Sequence, residues 1–405
     1  MNRPRQAVIL AGGRGARMRP FTDNAPKHMY PFHGRPFAHW LVEQLAEQGF
    51  ERVLFLLGYL PQATREYFGT GGERFGVDID YLVTPPDWET GPRLREAAGH
   101  LDPGFLLCYC DNYWPLQMTR LYQSWRASGA SAQITVYANS DGYTASNVAL
   151  DGRMVQCYDP SRQASGLAGV DVGYALVTRS VVEQIPDENR SFQELAYTAL
   201  AARGQLAAWV TGHRYYGVGR TDRIAATEAF LARRPAVLVD RDGVLNERAA
   251  PGEYIRSWEE WQWLPGAVEA LVRFHRAGYR VIVISNQAGV ALGAMSESML
   301  DEIHAHMRAD VEAAGGRIDA IYVCPHHWNA GCPCRKPRPG MLFAAQRDFH
   351  LDLSRTFFLG DDRRDAQAAE AAGCLFGEIS WRTPLAGYAA AWLANQPQEQ
   401  TRCVS

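Results

Sequence analysis

The feature that most constrains this chain is a pair of short apolar segments, each followed directly by a polar loop. Residues 7–10 read AVIL and lead into a glycine-rich loop, and residues 236–239 read AVLV and lead into two aspartates. Short apolar runs are typical of buried parallel strands, and α/β proteins place ligands at the carboxyl ends of such strands. Each segment therefore predicts the first strand of a separate α/β unit.

Further apolar segments follow both strands and alternate with helical patterns. They occupy residues 52–60, 78–83, 105–113 and 131–138 after the first strand, and residues 280–285, 318–323 and 356–360 after the second. This alternation predicts two doubly wound, largely parallel sheets. The helical stretch 226–235 ends at a proline, so we expect domains at residues 1–233 and 235–395, followed by a polar tail at 396–405. A length of 405 residues agrees with two domains.

Composition excludes several classes of function. With 41 Lys and Arg against 44 Asp and Glu, the net charge of −3 gives no strong field for nucleic acid or an anionic membrane. The first apolar run is too short for a signal peptide or a membrane span, and eight cysteines are too few for a disulfide scaffold. We expect a cytoplasmic enzyme for small anionic metabolites, without nucleic-acid or membrane partners. The oligomeric state stays open.

The first polar loop has the composition of a phosphate-binding loop. Glycines let the backbone approach phosphates closely, and the interleaved arginines neutralise them. The longer string LAGGRGARMRPFTDNAPKHMYPFHGRPF resembles the signature of sugar-phosphate nucleotidyltransferases, including heptose 1-phosphate guanylyltransferases. The resemblance implies a Rossmann-like sheet and phosphate contacts by Lys27. The residues that it implies for holding the nucleoside triphosphate are Gly12, Gly13, Gly15 and Arg17.

The resemblance to nucleotidyltransferases extends along most of residues 5–233. It implies that Asp111, at the end of CYCD, is a Mg²⁺ ligand, and that Thr90 and Gly91 grip the base and the sugar. Asp171 lies in the segment that resembles the sugar-contacting strand, where asparagine is usual. These residues and the loop predict a site for NTP and a sugar phosphate.

Other positions depart from the nucleotidyltransferase pattern. The late aspartate that also binds Mg²⁺ in the family is replaced by Gly217, and the Glu-Lys-Pro element has only Asp159 and Arg162 as imperfect substitutes. The threonine that commonly follows the third loop glycine is Ala16. These departures leave open whether the first domain is active.

The second polar loop carries Asp240 and Asp242, which resemble the first motif of haloacid dehalogenase-type phosphatases. The remaining motifs of that family follow in order and contain Ser285, Asn286, Arg335, Lys336, Asp361, Asp362 and Asp365. The resemblance implies that Asp240 attacks phosphorus and that Asp242 transfers protons.

The same resemblance assigns roles to the other phosphatase residues. Ser285 and Lys336 would hold the phosphoryl oxygens. Three further residues would bind substrate: Asn286, Arg335 and Arg241. We expect Mg²⁺ at Asp240, the Asp242 carbonyl, Asp361 and Asp362. Metal binding, support of the site and a helix-start role remain alternatives for Asp362 and Asp365.

A compact Cys/His cluster lies directly before Arg335 and Lys336. Its members are Cys324, His326, Cys332 and Cys334, a ligand set suited to structural Zn²⁺, and His327 is the spare residue. The cluster resembles the zinc loop of the heptose bisphosphate and histidinol-phosphate phosphatase branch. The sequence therefore predicts Mg²⁺ and Zn²⁺ as cofactors.

Other conspicuous residues are predicted to be structural. Trp258, Trp261 and Trp263 are expected to pack under the preceding loop. His304 and His306 are two residues apart in a helical pattern and are expected at the surface.

The leading functional hypothesis combines both domains. The phosphatase would remove the 7-phosphate of heptose 1,7-bisphosphate, and the transferase would join heptose 1-phosphate to an NTP, with GTP favoured. One alternative keeps only the phosphatase active and makes the first domain a nucleotide-sugar sensor. Another is hydrolysis of histidinol phosphate, against which the transferase domain argues.

Overall fold

The computed structural model describes residues 2–395, which divide into two units between Ala232 and Arg233. The polar tail predicted at residues 396–405 lies outside the described residues. None of the helices between residues 2 and 395 combines the length and hydropathy needed to cross a lipid bilayer.

The first unit contains thirteen strands among its described residues. They are β1 Gln6–Ala11, β2 Pro31–Phe32, β3 Arg35–Pro36, β4 Arg52–Leu57, β5 Asp78–Val83, β6 Gly104–Tyr109, β7 Asn112–Tyr113, β8 Ala132–Tyr137, β9 Val148–Asp151, β10 Met154–Tyr158, β11 Val170–Thr178, β12 Leu206–Thr211 and β13 Tyr216–Gly217. Nine of them form one sheet in the order β5-β4-β1-β6-β11-β8-β12-β10-β9.

The α-helices of the first unit connect these strands. They are α1 Phe37–Glu47, α2 Pro61–Phe68, α3 Gly72–Phe75, α4 Thr90–Glu96, α5 Met118–Ser128, α6 Arg179–Glu183, α7 Thr198–Ala202 and α8 Ile224–Leu231. The sheet is buried on both faces, because alternate residues of β1 belong to different cores: Ala7, Ile9 and Ala11 face one, and Val8 and Leu10 face the other.

The large sheet is less uniformly parallel than the sequence predicts. Strands β5, β4, β1 and β6 are parallel to one another, but β11 runs antiparallel to both β6 and β8. Strands β9 and β10, which the sequence pattern did not reveal, form an antiparallel pair at one edge. The mixed half arises because β11 lies antiparallel between β6 and β8, and because β9 and β10 follow one another as a hairpin.

The second unit has a five-stranded parallel sheet. Its strands are β14 Ala236–Val239, β15 Arg280–Asn286, β16 Ala320–Cys324, β17 Phe357–Gly360 and β18 Leu375–Glu378, in the order β16-β15-β14-β17-β18. Its α-helices are α9 Ala267–Arg276, α10 Glu297–Ala313, α11 Gly340–Phe349, α12 Arg363–Ala372 and α13 Leu385–Ala394. Apolar cores cover both faces of this sheet. The doubly wound α/β class predicted for each half is confirmed.

Candidate active sites

The topology of the second sheet brings the phosphatase motifs together. Asp240 and Asp242 follow the central strand β14, Ser285 and Asn286 end β15 on one side, and Asp361 follows β17 on the other. All three strands are parallel, so their carboxyl ends meet at one edge. Segments far apart in sequence thereby form one site, beside a cavity of about 260 Å³.

An acidic cluster lies at the centre of this edge. Carboxylate oxygens of Asp240, Asp361 and Asp365 lie within 4.8 Å of one another. The Nζ atom of Lys336 lies 2.7 Å from an oxygen of Asp240 and 2.7 Å from an oxygen of Asp365. Burial raises the pKa of Asp240, although the charge of Lys336 acts in the opposite direction. Clustered carboxylate oxygens are donors that Mg²⁺ prefers, so these residues fit the predicted ion.

The carboxylate of Asp242 does not belong to the acidic cluster and is held by three polar side chains. Arg241 donates to both of its oxygens, over 2.9 and 3.1 Å, Gln287 donates over 2.7 Å and Asn246 over 3.0 Å. Burial favours a higher pKa for Asp242, but Arg241 and the other donors lower the pKa below its ordinary value. Asp242 is therefore held in its ionised form.

Asp362, named among the predicted Mg²⁺ ligands, lies at the start of α12 and caps that helix. It is the N-cap of α12, where its side chain accepts a 2.8 Å hydrogen bond from the backbone N–H of Arg364, and Asp365 accepts a 3.2 Å bond from the backbone N–H of Asp362. This is a capping box. One helical turn separates the two carboxylates, and it places Asp365, rather than Asp362, in the acidic cluster with Asp361.

The remaining predicted phosphatase residues support one another. Asn286 bonds both backbone groups of Lys336, at 3.1 and 3.2 Å, while Lys336 Nζ also donates to the carbonyl of Ile284 over 3.1 Å. Ser285 is fully buried, and its hydroxyl oxygen accepts a 2.8 Å bond from Gln287. Asn286 therefore positions Lys336, whose side chain points into the site.

The side chain of Arg241, predicted to bind substrate, is 1% exposed. It is committed to Asp242, lies over the ring of Trp261 and approaches His304 to 3.5 Å. His304 is buried rather than at the surface, because it shares the inward stripe of α10 with Ile303. The side chain is thus bonded to Asp242 at the edge of the cavity, and the predicted contact with substrate stays a prediction.

Sequence reasoning missed Gln287 and Arg248. Gln287 joins Ser285 to Asp242, and its position two residues after Ser285 was the only local signal. Arg248 reaches Asp361 across the sheet edge, a contact with no local sequence signal.

The Cys/His cluster forms a compact set of four potential ligands. Cys324 Sγ lies 3.6 Å from His326 Nδ1, 3.6 Å from Cys332 Sγ and 3.4 Å from Cys334 Sγ, and His326 Nδ1 lies 3.2 Å from Cys334 Sγ. Ligands about 2.3 Å from a tetrahedral Zn²⁺ are separated by about 3.7 Å. His327 lies outside the cluster and accepts a bond from the backbone of Asn329. The geometry fits a closed tetrahedral site.

In the first unit, the loop after β1 adjoins the ends of β4 and β6, the two neighbours of β1. Asp111 lies two residues after the end of β6, and Cys110 stands between them. Lys27 Nζ lies 2.6 Å from an oxygen of Asp111. Burial favours a higher pKa for Asp111, but the charges of Lys27 and Arg17 lower the pKa below its ordinary value. The structure thus brings together Lys27 and Asp111, which are 84 residues apart in the sequence.

The glycine-rich loop is anchored by Arg93, a residue that sequence reasoning did not single out. The Arg93 side chain is 1% exposed and donates to the carbonyl oxygens of Gly12, Leu57, Pro85 and Trp88. A buried guanidinium without hydrogen bonds would be costly, and these carbonyls satisfy it. Arg93 therefore joins the carboxyl ends of three neighbouring strands and positions the loop.

The packing of the Arg93 guanidinium against Gly12 leaves no room for a side chain at position 12. A Cβ atom at Gly12 would lie 2.3 Å from the guanidinium of Arg93, whereas one at Gly13 would meet nothing within 4 Å. We expect Gly12→Ala to lower the free energy of unfolding of the first unit by about 3 kcal/mol. Gly13→Ala is the matched control and should change it by less than about 0.5 kcal/mol. Hydrogen–deuterium exchange of β1 measures both, and equal effects would contradict this account of Arg93.

Thr90 and Gly91 are engaged within the protein. The Thr90 hydroxyl oxygen accepts a 2.8 Å bond from the backbone of Phe192, and the Gly91 N–H donates to the carbonyl of Arg190 over 3.0 Å. These bonds hold the start of α4, and the predicted contact with base and sugar stays a prediction.

A second cavity, of about 310 Å³, contains Asp171 and Asp111 in its wall, with Arg17, Arg162 and Arg223. The Asp171 carboxylate accepts a 2.9 Å bond from the Tyr158 hydroxyl and a 2.8 Å bond from the Gly173 N–H. Burial raises the pKa of Asp171 to about 6, with these hydrogen bonds acting against the shift. The cavity is therefore rich in arginine and carries a carboxyl group that titrates near pH 6.

This titration predicts a difference in pH dependence between the protein and an Asp171→Asn variant. Because the pKa is raised on folding, the native state binds the proton more tightly, and the free energy of unfolding falls as pH rises from about 4 to about 6. The Asn variant lacks this loss, so at pH 7 its first unit should be more stable by about 3 kcal/mol. Exchange measurements across this pH range test it, with exposed Asp151→Asn as the control. Parallel pH profiles would contradict the shift.

Gly217 confirms that the first unit lacks a second carboxylate at this point. A Cβ atom there would lie 2.6 Å from the carbonyl oxygen of Asp111 and 2.9 Å from Asn112, so the backbone leaves no room for an aspartate. Among residues 2–395, Asp111 belongs to no group of three potential metal ligands. The fit to Mg²⁺ is therefore incomplete in this unit.

Comparison with known proteins identifies the family of each unit. Residues 7–216, just over half of the chain, match the MobA-like NTP transferase domain, and residues 175–373 match the haloacid dehalogenase-like hydrolases. The matches overlap within the first unit, and the second unit itself begins at Arg233. The chain therefore belongs to the MobA-like NTP transferases through its first unit and to the haloacid dehalogenase-like hydrolases through its second. The chain thus joins a phosphomonoester hydrolase to a domain of the nucleotidyltransferase family.

Individual relatives give a finer comparison. The D-glycero-beta-D-manno-heptose-1,7-bisphosphate 7-phosphatase of Pseudomonas putida is 41% identical over 137 residues, which cover 34% of this chain and 77% of that protein. The Pseudomonas aeruginosa protein of the same name is 40% identical over 141 residues, covering 35% and 78%. A putative glucose-1-phosphate thymidylyltransferase structure from Bacillus anthracis covers 56% of this chain and 95% of its own at 20% identity, with a TM-score of 0.50, which supports the fold of the first unit.

Proposed function

We propose that the second unit hydrolyses the 7-phosphate of heptose 1,7-bisphosphate and that the first unit transfers a nucleotidyl group from an NTP to the resulting heptose 1-phosphate. The observation that carries this proposal is that Asp240, Lys336 and the acidic cluster lie together in a unit that matches heptose bisphosphate 7-phosphatases at 41% identity over 137 residues and 40% over 141. GTP is the nucleotide that we expect. The 1-phosphate left by the first reaction is the group that a nucleotidyltransferase consumes.

In the hydrolysis, Asp240 attacks the phosphorus and the bond to the sugar oxygen breaks, which gives an aspartyl-phosphate. Lys336 and the hydroxyl of Ser285 hold the phosphoryl oxygens. Mg²⁺, held by Asp240, Asp361 and the carbonyl of Asp242, would supply the positive charge that lets a carboxylate approach a phosphate dianion.

Asp242 handles the protons in both halves of the reaction. It gives a proton to the leaving alkoxide and then takes one from the water that attacks the aspartyl-phosphate. Its lowered pKa suits the second half, in which it acts as a base. For the first half, the charge of a bound phosphate dianion would raise this pKa and favour protonation.

In the nucleotidyl transfer, Gly12, Gly13 and Gly15 would hold the triphosphate through backbone N–H groups, with Arg17 and Lys27 neutralising its charge. The sugar phosphate would enter the arginine-rich cavity beside Asp171. Because the Mg²⁺ ligands are incomplete, no step of this reaction is assigned to the ion.

A second candidate is that the first unit binds nucleotide or nucleotide sugar without transferring it. The close Lys27–Asp111 pair and the absence of room for a carboxylate at Gly217 favour this alternative. The phosphatase would then be the only catalytic unit.

One experiment separates these functions. The purified chain is incubated with heptose 1,7-bisphosphate, Mg²⁺ and each of the four NTPs, and phosphate and pyrophosphate are followed separately. Release of both supports the proposal. Phosphate with calorimetric NTP binding but no pyrophosphate favours the sensor, whereas hydrolysis of histidinol phosphate in preference to the bisphosphate would reject the proposed substrate.

A further inference from the structure

Arg248, on the loop that follows β14, bonds two separate oxygen atoms at the phosphatase site. Its Nη2 atom lies 2.7 Å from Asp361 Oδ1, and its Nε atom lies 3.1 Å from the carbonyl oxygen of Asp242. The guanidinium also lies 3.6 Å from Asp362. One cationic side chain thus spans the ends of β14 and β17.

These two oxygens belong to the atoms that a divalent cation would use. Asp361 is a member of the acidic cluster, and the carbonyl of Asp242 is the second oxygen assigned to Mg²⁺ in the proposed hydrolysis. A guanidinium and a divalent ion at the same oxygens would repel each other strongly at this short distance. Both cations cannot occupy these positions together.

Among the described residues, two cations form ion pairs with the cluster, Lys336 and Arg248, and Arg248 is the one that can leave. Its side chain is 46% exposed, whereas that of Lys336 is 3% exposed and is bound to two carboxylates and a backbone carbonyl. Arg248 also lines the cavity of about 260 Å³ into which Lys336 points. Rotation of the Arg248 side chain therefore moves its charge along the cavity wall without disturbing buried groups.

The released guanidinium would need a new anionic partner in the cavity. Arg364, on the same wall, already donates two hydrogen bonds to Asp362, over 2.8 and 3.0 Å. Arg248, in contrast, loses its bond to Asp361 when the metal binds, and its guanidinium can then take up another anion. A guanidinium binds phosphate through two parallel hydrogen bonds, so a second phosphate on the substrate matches its chemistry.

We propose that a divalent metal displaces Arg248 from Asp361 and from the Asp242 carbonyl, and that the displaced side chain then binds the phosphate that is not hydrolysed. Arg248 is thereby a specificity-determining residue that ties selection of a bisphosphate sugar to metal binding. The substrate half of this inference rests on the proposed phosphatase function, and the metal half does not.

The metal half is tested by calorimetric titration of the full-length, zinc-containing chain with Mg²⁺ alone. Every protein carries Asp111→Asn, which removes the predicted magnesium ligand of the first unit. We expect Arg248→Gln to lower the dissociation constant for Mg²⁺ about fivefold, because the competing cation is gone. Arg364→Gln removes the same charge from the same wall but no bond to the acidic cluster, and it should change the constant by less than about twofold. An unchanged constant in Arg248→Gln, or an equal change in both variants, would overturn the proposal.

The substrate half is tested by kinetics at saturating Mg²⁺. Arg248→Gln should raise KM for heptose 1,7-bisphosphate about tenfold, with kcat nearly unchanged and with KM for a sugar monophosphate such as mannose 6-phosphate unaffected. Equal changes for the two substrates would refute the specificity role. If the parent chain hydrolyses no bisphosphate, the proposed function fails together with this half, while the Mg²⁺ titration still decides the metal half.

Discussion

Asp240→Asn should abolish phosphate release, with a loss of at least about 10⁴-fold, because an amide cannot form the aspartyl-phosphate. The fold should persist. Burial already disfavours the charged form of Asp240, and Lys336 keeps its contacts with Asp365 and the carbonyl of Ile284. Phosphate release is measured by a coupled assay, and the free energy of unfolding should fall by less than about 1 kcal/mol.

The chain supplies its own control for this experiment. Nucleotide binding, and any pyrophosphate release when heptose 1-phosphate is supplied directly, should be the same in Asp240→Asn and in the parent protein, because the substitution lies in the other unit. Asp301→Asn, an exposed position on α10, should leave phosphate release unaltered. Substantial hydrolysis by Asp240→Asn would show that the nucleophile is another group.

Cys332→Ser should remove zinc and most of the phosphatase activity together. Cys332 is one of four potential ligands, and the cluster lies two residues before Lys336. Without the metal, the segment loses the link that holds Cys334 beside Cys324, and Lys336 is then positioned less accurately. We expect elemental analysis to fall from about one zinc per chain to near zero, and hydrolysis to fall about 10- to 100-fold.

Cys157→Ser is the matched control, since Cys157 is a free thiol on β10 of the first unit, outside the cluster. This variant should retain zinc and activity. A parent protein that contains no zinc yet hydrolyses phosphate at the full rate would refute the structural role of the metal.

The families of both halves and their reaction types could be predicted from the sequence because their motifs are local. In each unit, the first strand and the functional residues that follow it, Gly12 in one unit and Asp240 and Asp242 in the other, lie within ten residues. The four potential zinc ligands lie within eleven residues. The doubly wound class followed from alternating apolar patterns, and the structure confirms it.

Sequence reasoning was less reliable where helix phase or strand pairing decides position. It named Asp362 among the Mg²⁺ ligands and left a helix-start role open for both Asp362 and Asp365, whereas the start of α12 makes Asp362 the cap and turns Asp365 inward. It expected His304 at the surface, although this residue lies on the buried stripe of α10. It did not foresee that the Arg241 side chain donates to both oxygens of Asp242.

The sequence by itself determined which chemistry each half carries, since residue types and short spacings specify nucleophile, cation and metal ligand. Only the tertiary structure decided which distant side chains act on them. Arg93 reaches the loop of Gly12, and Arg248 reaches Asp361, across 81 and 113 residues of sequence. Such contacts depend on which strands become neighbours in a sheet, a long-range choice that local side-chain patterns do not encode.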